Sequence, residues 1–91
     1  MVLPEQPVTL SVQQIAELNQ HLAAMRHDVN NSLALVLGGV ELMRVKPETA
    51  SRMLATIGEQ PGRITTIMRQ FSGEFETALG ITRPARRDEP A

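Results

Sequence analysis

The chain has 91 residues, a formal net charge of −1, no cysteine, tryptophan or tyrosine, and two phenylalanines. One small domain of this kind has no disulfides to lean on and reads as cytoplasmic. It offers nucleic acid neither a basic surface nor stacking platforms, and it offers a membrane neither a spanning segment nor a basic amphipathic stretch.

In chain order, residues 1–10 hold Pro4 and Pro7 without periodicity and read as a flexible N-terminal arm. Ser11 followed by Gln14 is a capping-box pattern, which satisfies free N–H groups at a helix start. Ile15, Leu18, Leu22, Met25, Val29, Leu33, Val36, Val40 and Met43 then recur at steps of three and four. That predicts an amphipathic helix over about 11–45, with those side chains on one stripe. Gly38-Gly39 near its end is either a weak point or a place of close approach by a neighbour.

Lys46-Pro47-Glu48 is a turn, with proline at a first helical position and an acid at the positive helix end. A second helix is predicted over 47–79, its seam running Ala50, Leu54, Ile57, Pro61, Ile64, Met68, Phe71, Phe75 and Ala78. Pro61 lies on that seam and removes a helical hydrogen bond, so a bend or two segments meeting near Gln60 are expected. Gly80 is a natural stop, and residues 80–91, charged and proline-containing, read as a disordered tail. The fold class is therefore all-α: a long antiparallel helical hairpin over 11–79. Two apolar stripes on two helices cannot both be covered by one hairpin, so dimerisation into a four-helix bundle is expected.

His27-Asp28-Val29-Asn30-Asn31 carries the candidate chemistry. At about 100° per residue His27 lies about 160° from the apolar stripe, which predicts exposure. Asn31 falls one turn along on the same side, and Asp28 on the flank. A largely neutral imidazole keeps one ring nitrogen free as a nucleophile, and an adjacent carboxylate can hold the proton on the other. Asn31 can orient phosphoryl oxygens or a water without adding charge. His21 has no acid after it and reads as a surface residue. No charged residue stands between Asp28 and Glu41, and Ala34, Leu35, Gly38 and Leu42 lie away from the main stripe. Those four are either a second core contact or an apolar landing patch for a partner. Both hold if Leu35 and Leu42 pack inward while Ala34 and Gly38 stay exposed.

The run His27-Asp28-Val29-Asn30-Asn31-Ser32-Leu33, continued by Leu37-Gly38-Gly39-Val40-Glu41-Leu42, resembles the H-box helix of two-component sensor histidine kinases. Arg63-Ile64-Thr65-Thr66-Ile67-Met68 is similar to that family's arginine-plus-apolar repeat on the facing helix. The likeness spans roughly 18–71. Two departures stand out: Ser32 where a proline is common in one branch, and Pro61 in the second helix. The resemblance implies the dimerisation and histidine-phosphotransfer domain, a dimeric four-helix bundle. On it His27 would be the phosphoacceptor, Asp28 the acid that assists it, and Asn31 the residue that positions a phosphoryl group or water.

None of the family's nucleotide-binding boxes occurs in the chain, so the implied activity is that of a phosphotransfer module and not of an autonomous ATP-dependent kinase. The expected partners are a response-regulator receiver domain, a separate kinase or ATP-binding domain, and a second copy of the chain. No cofactor and no metal is expected. The alternative is a non-catalytic dimeric interaction module that binds a receiver or kinase as a regulator.

Overall fold

The computed structural model describes residues 2–81. Helix α1 spans Val12–Val45, a 3-10 turn covers Pro47–Thr49, and helix α2 spans Ala50–Leu79. The two helices pack against each other along their length as an antiparallel hairpin. Its extents are 58 × 33 × 14 Å, the smallest being close to one helix diameter. No helix among the described residues is long and apolar enough to cross a membrane.

Each boundary has a chemical cause. The Ser11 hydroxyl accepts from the Gln14 backbone N–H at 3.1 Å, and the Ser11 N–H donates to Gln14 Oε1 at 2.8 Å. This reciprocal box fixes the start of α1. At the turn the Lys46 carbonyl accepts from the Thr49 N–H at 2.9 Å and from the Thr49 hydroxyl at 2.7 Å. Gly80 closes α2 in the left-handed region, with φ 69°, and the Ile81 N–H donates back to the Glu76 carbonyl at 2.8 Å. A side chain would strain that φ, which is why glycine stands there. Thr82–Ala91, most of the predicted tail, lie outside the described residues.

The seam departs from the predicted stripes by one residue at six places. On α1 the residues that escape full exposure are Leu18, Leu22, Met25, Val29, Ser32, Val36, Gly39, Leu42 and Met43. On α2 the inward ladder runs Ala50, Met53, Ile57, Gln60, Ile64, Ile67, Phe71, Glu74 and Ala78. Ser32 and Gly39 thus replace the expected Leu33 and Val40, and Met53, Gln60, Ile67 and Glu74 replace Leu54, Pro61, Met68 and Phe75. Ile15, expected on the stripe, is also exposed.

Close approach and polar pairing explain the choice better than hydrophobicity does. A Cβ built on Gly39 would lie 3.1 Å from two carbons of Ile57, so the seam is tight there, whereas one built on Gly38 meets nothing within 4 Å. The alternatives for the two glycines are thereby divided between them: Gly39 is the point of close approach, and Gly38 is open. At mid-length Ser32 and Gln60 are 2% and 1% exposed, and the Ser32 hydroxyl donates to Gln60 Oε1 at 2.6 Å. Gln60 Nε2 in turn donates to the Thr56 carbonyl at 2.8 Å, so no buried side-chain donor or acceptor among the described residues lacks a partner. Such a bond nets about 1 kcal/mol, but stranding one partner costs about 1–3 kcal/mol.

Pro61 does not divide α2, which runs as one helix through it. Its ring is on the exposed side, not in the seam. That placement takes the missing N–H out of the interior and leaves the helix to continue on its remaining bonds.

No apolar side chain among the described residues is fully buried. Leu33, Val40, Leu54, Pro61, Met68 and Phe75 each follow an inward residue directly. In an antiparallel pair those positions fall on one side of the seam. Leu33, Leu54 and Met68 are 47%, 59% and 52% exposed, so one flank of the hairpin is an apolar strip. Phe71 and Phe75 link seam to strip, with ring centroids 6.1 Å apart.

The two adjacent glycines should respond oppositely to substitution in urea unfolding at fixed protein concentration. Gly38→Ala is expected to raise stability by about 0.5–1 kcal/mol through helix propensity. Gly39→Leu is expected to lower it by about 1–3 kcal/mol by forcing α1 away from Ile57.

Candidate functional site

His27 sits at the position of α1 farthest from α2, and its side chain is 72% exposed. This is the orientation expected from the helical wheel. Its Nδ1 lies 3.2 Å from Asp28 Oδ1. An ionised carboxylate only accepts, so the contact selects the tautomer with the proton on Nδ1. The Nε2 lone pair is then left pointing to solvent. Neighbouring residues on a helix rarely share a face, and here the contact is made because both side chains are free of packing.

Asp28 has a second surrounding. With Asn31 from α1, and Glu59, Gly62, Arg63, Thr66 and Ile67 from α2, it lines an open groove of about 710 Å³. His27 stands outside this groove, and Asp28 is its link to it. The structure therefore brings Asp28 and Asn31 together across from Arg63 and Glu59. The Thr66 hydroxyl is engaged within α2, donating to the Gly62 carbonyl at 3.0 Å. Neither Glu59 nor Arg63 has an ion-pair or hydrogen-bonding side-chain partner among the described residues. The groove lies on the flank opposite the apolar strip, because Asp28 and Arg63 occupy the positions just before the inward Val29 and Ile64.

The four apolar positions beyond His27 divide. Ala34 and Gly38 are exposed, as expected for a landing patch; Leu42 is half-buried, as expected for a core contact. Leu35 does not pack inward: it is 44% exposed, being one position short of the inward Val36.

His21 is exposed, as expected of a surface residue, but it also makes a contact that its sequence neighbours do not announce. Its Nδ1 lies 2.8 Å from Glu74 Oε2 across the seam, near the open end of the hairpin. A groove of about 660 Å³ beside it is lined by Gln14, Leu18, Gln70, Gly73 and Thr77 among others. Glu74 occupies a seam position normally given to an apolar side chain, and His21 covers it. The available signal was the phase of the seam: once Gln60 and Ile67 are inward, Glu74 must follow, seven residues after Ile67. Glu59 was hidden in the same way, since its place opposite Asp28 depends on the pairing of the helices, whereas Arg63 is singled out by the arginine-plus-apolar repeat of the facing helix. Among the described residues no group of three or more acidic, histidine or cysteine side chains gathers to hold a metal ion.

No family model, no curated protein and no solved structure matches the chain.

The tautomer assignment has a direct spectroscopic check. Nitrogen-resolved NMR of the ring should show neutral His27 mainly protonated on Nδ1. Asp28→Ala should shift it toward the Nε2-protonated form that free imidazole side chains favour. An unchanged ratio would remove Asp28 from any role in orienting His27.

Proposed function

We propose that the protein is a dimeric histidine phosphotransfer module of two-component signalling, exchanging a phosphoryl group between His27 and an aspartate of a response-regulator receiver domain. The observation that carries this reading is the exposed His27 with Nδ1 held by Asp28 and Nε2 free. In the transfer Nε2 attacks the phosphorus of the receiver's acyl phosphate. The N–P bond forms as the P–O bond breaks, and the electron pair leaves with the aspartate carboxylate. The proton stays on Nδ1, and the Asp28 carboxylate balances the positive charge of the phosphoimidazole. Asn31, one turn on, positions a phosphoryl oxygen or a water. The phosphoryl group comes from a phosphorylated receiver or from the ATP-binding domain of a kinase.

Dimerisation belongs to the same reading. The strip of Leu33, Val40, Leu54, Pro61, Met68 and Phe75 is apolar, runs along α2 and the second half of α1, and is uncovered in a single chain. A second copy placed on it gives each helix a second neighbour and completes a four-helix bundle. His27 and the Asp28 groove stay open in that assembly, because they lie on other faces. Ala34 and Gly38, with Leu35, then form the surface that a receiver meets beside His27.

Incubation with a phosphorylated receiver or an active kinase domain should place an acid-labile, base-stable label on the wild type and on His21→Ala, and none on His27→Ala. Label that never appears with cognate partners would instead favour a non-catalytic module that binds a receiver or kinase. Light scattering tests the assembly separately. The wild type should be a dimer at micromolar concentration, and Met68→Glu should shift it to monomer by placing a charge in the apolar strip.

A further inference from the structure

Along α2 and the second half of α1 the helix carries a band two residues wide whose outer row is apolar. The pairs are Ser32-Leu33 and Gly39-Val40 on α1, and Met53-Leu54, Gln60-Pro61, Ile67-Met68 and Glu74-Phe75 on α2. In every pair the first residue faces the other helix and the second lies on the exposed strip. Turning both helices by about 50°, half the angle between successive residues, would exchange them. The exchanged seam would be the more apolar one, since it replaces Ser32, Gln60 and Glu74 with Leu33, Pro61 and Phe75. Hydrophobicity alone therefore favours the arrangement that the structure does not adopt.

We infer that the buried Ser32–Gln60 hydrogen bond is a selector, choosing which apolar stripe closes the hairpin and which is left for a second copy. The pair holds the most buried side chains among the described residues, at mid-seam, joined by a 2.6 Å bond that needs this phase. In the exchanged phase the two groups part, so only the observed phase keeps a fully partnered polar layer. Gly39 against Ile57 gives a second, steric reason for the same phase. The choice reaches the site. The turn that brings Leu33 inward carries Asp28 and Arg63 away from the opposite helix, so the groove beside His27 belongs to the selected phase. The consequence for phosphoryl exchange and for the second copy rests on the proposed function; the selection itself does not.

The test uses amide and methyl NMR of the full chain, with no phosphoryl donor. The wild type should give one set of resonances. Ser32→Ala alone should lower the thermal midpoint by several degrees, because Gln60 keeps its burial and loses its donor. Replacing both partners, Ser32→Ala with Gln60→Leu, should leave helix content intact and the midpoint at or above the wild-type value. Resonances of Leu33, Leu54 and Met68 should nevertheless double or broaden as the two phases compete. A single set in the double variant with wild-type methyl shifts at those residues would overturn the inference. Loss of folding in the double variant would overturn it too, by showing the pair to be a support of stability and not a selector. Light scattering and phosphoryl labelling read the proposed function independently, so either can fail without the other.

Discussion

Two helices meeting along one line can cover one apolar row each, and these helices carry bands two rows wide. Most of the architecture follows from that mismatch. The row that closes the hairpin is interrupted by Ser32, Gly39, Gln60 and Glu74, while the row left outside carries Leu33, Val40, Leu54, Pro61, Met68 and Phe75. The hairpin is thus held by close approach, one buried polar pair and partial apolar contact, and its richest hydrophobic surface remains unspent. Since no apolar side chain among the described residues is fully buried, a single chain leaves much of its hydrophobic surface uncovered.

The seam divides the molecule into flanks with different characters. One holds the apolar strip. The other holds the groove where Asp28 and Asn31 face Arg63 and Glu59, and further along the His21–Glu74 contact. His27 points away from the facing helix. The apolar strip, the groove and the candidate nucleophile therefore occupy separate directions around the hairpin, which is what the proposed phosphoryl exchange by a dimer requires.

Much of this could be read from the residues. The capping box of Ser11 and Gln14, the turn at Lys46-Pro47 and the stop at Gly80 are local devices, set by side-chain chemistry within a few residues, and they stand where local rules put them. The exposure of His27 followed from periodicity. The phase of the seam did not, because an apolar ranking prefers Leu33 to Ser32 and Phe75 to Glu74. What reverses the ranking is contact between residues far apart in sequence, Ser32 with Gln60 and Gly39 with Ile57. The groove partner Glu59 was illegible for the same reason, while Arg63 was legible only through the resemblance of its repeat. Pro61 looked like an interruption because its effect was judged at a seam position. Placed one residue to the side, it sits on the outer face of a continuous helix.

The outward placement of His27 has an evolutionary corollary. Its neighbours on that face, Asn31 and Ala34, contribute little to holding the helices together, so exchanging them carries almost no folding penalty. A lineage could change this face by single substitutions, and with it the proposed phosphoryl exchange, while inheriting an unaltered scaffold. Persistence of the hairpin alone is then a poor guide to persistence of the residues on its outer face.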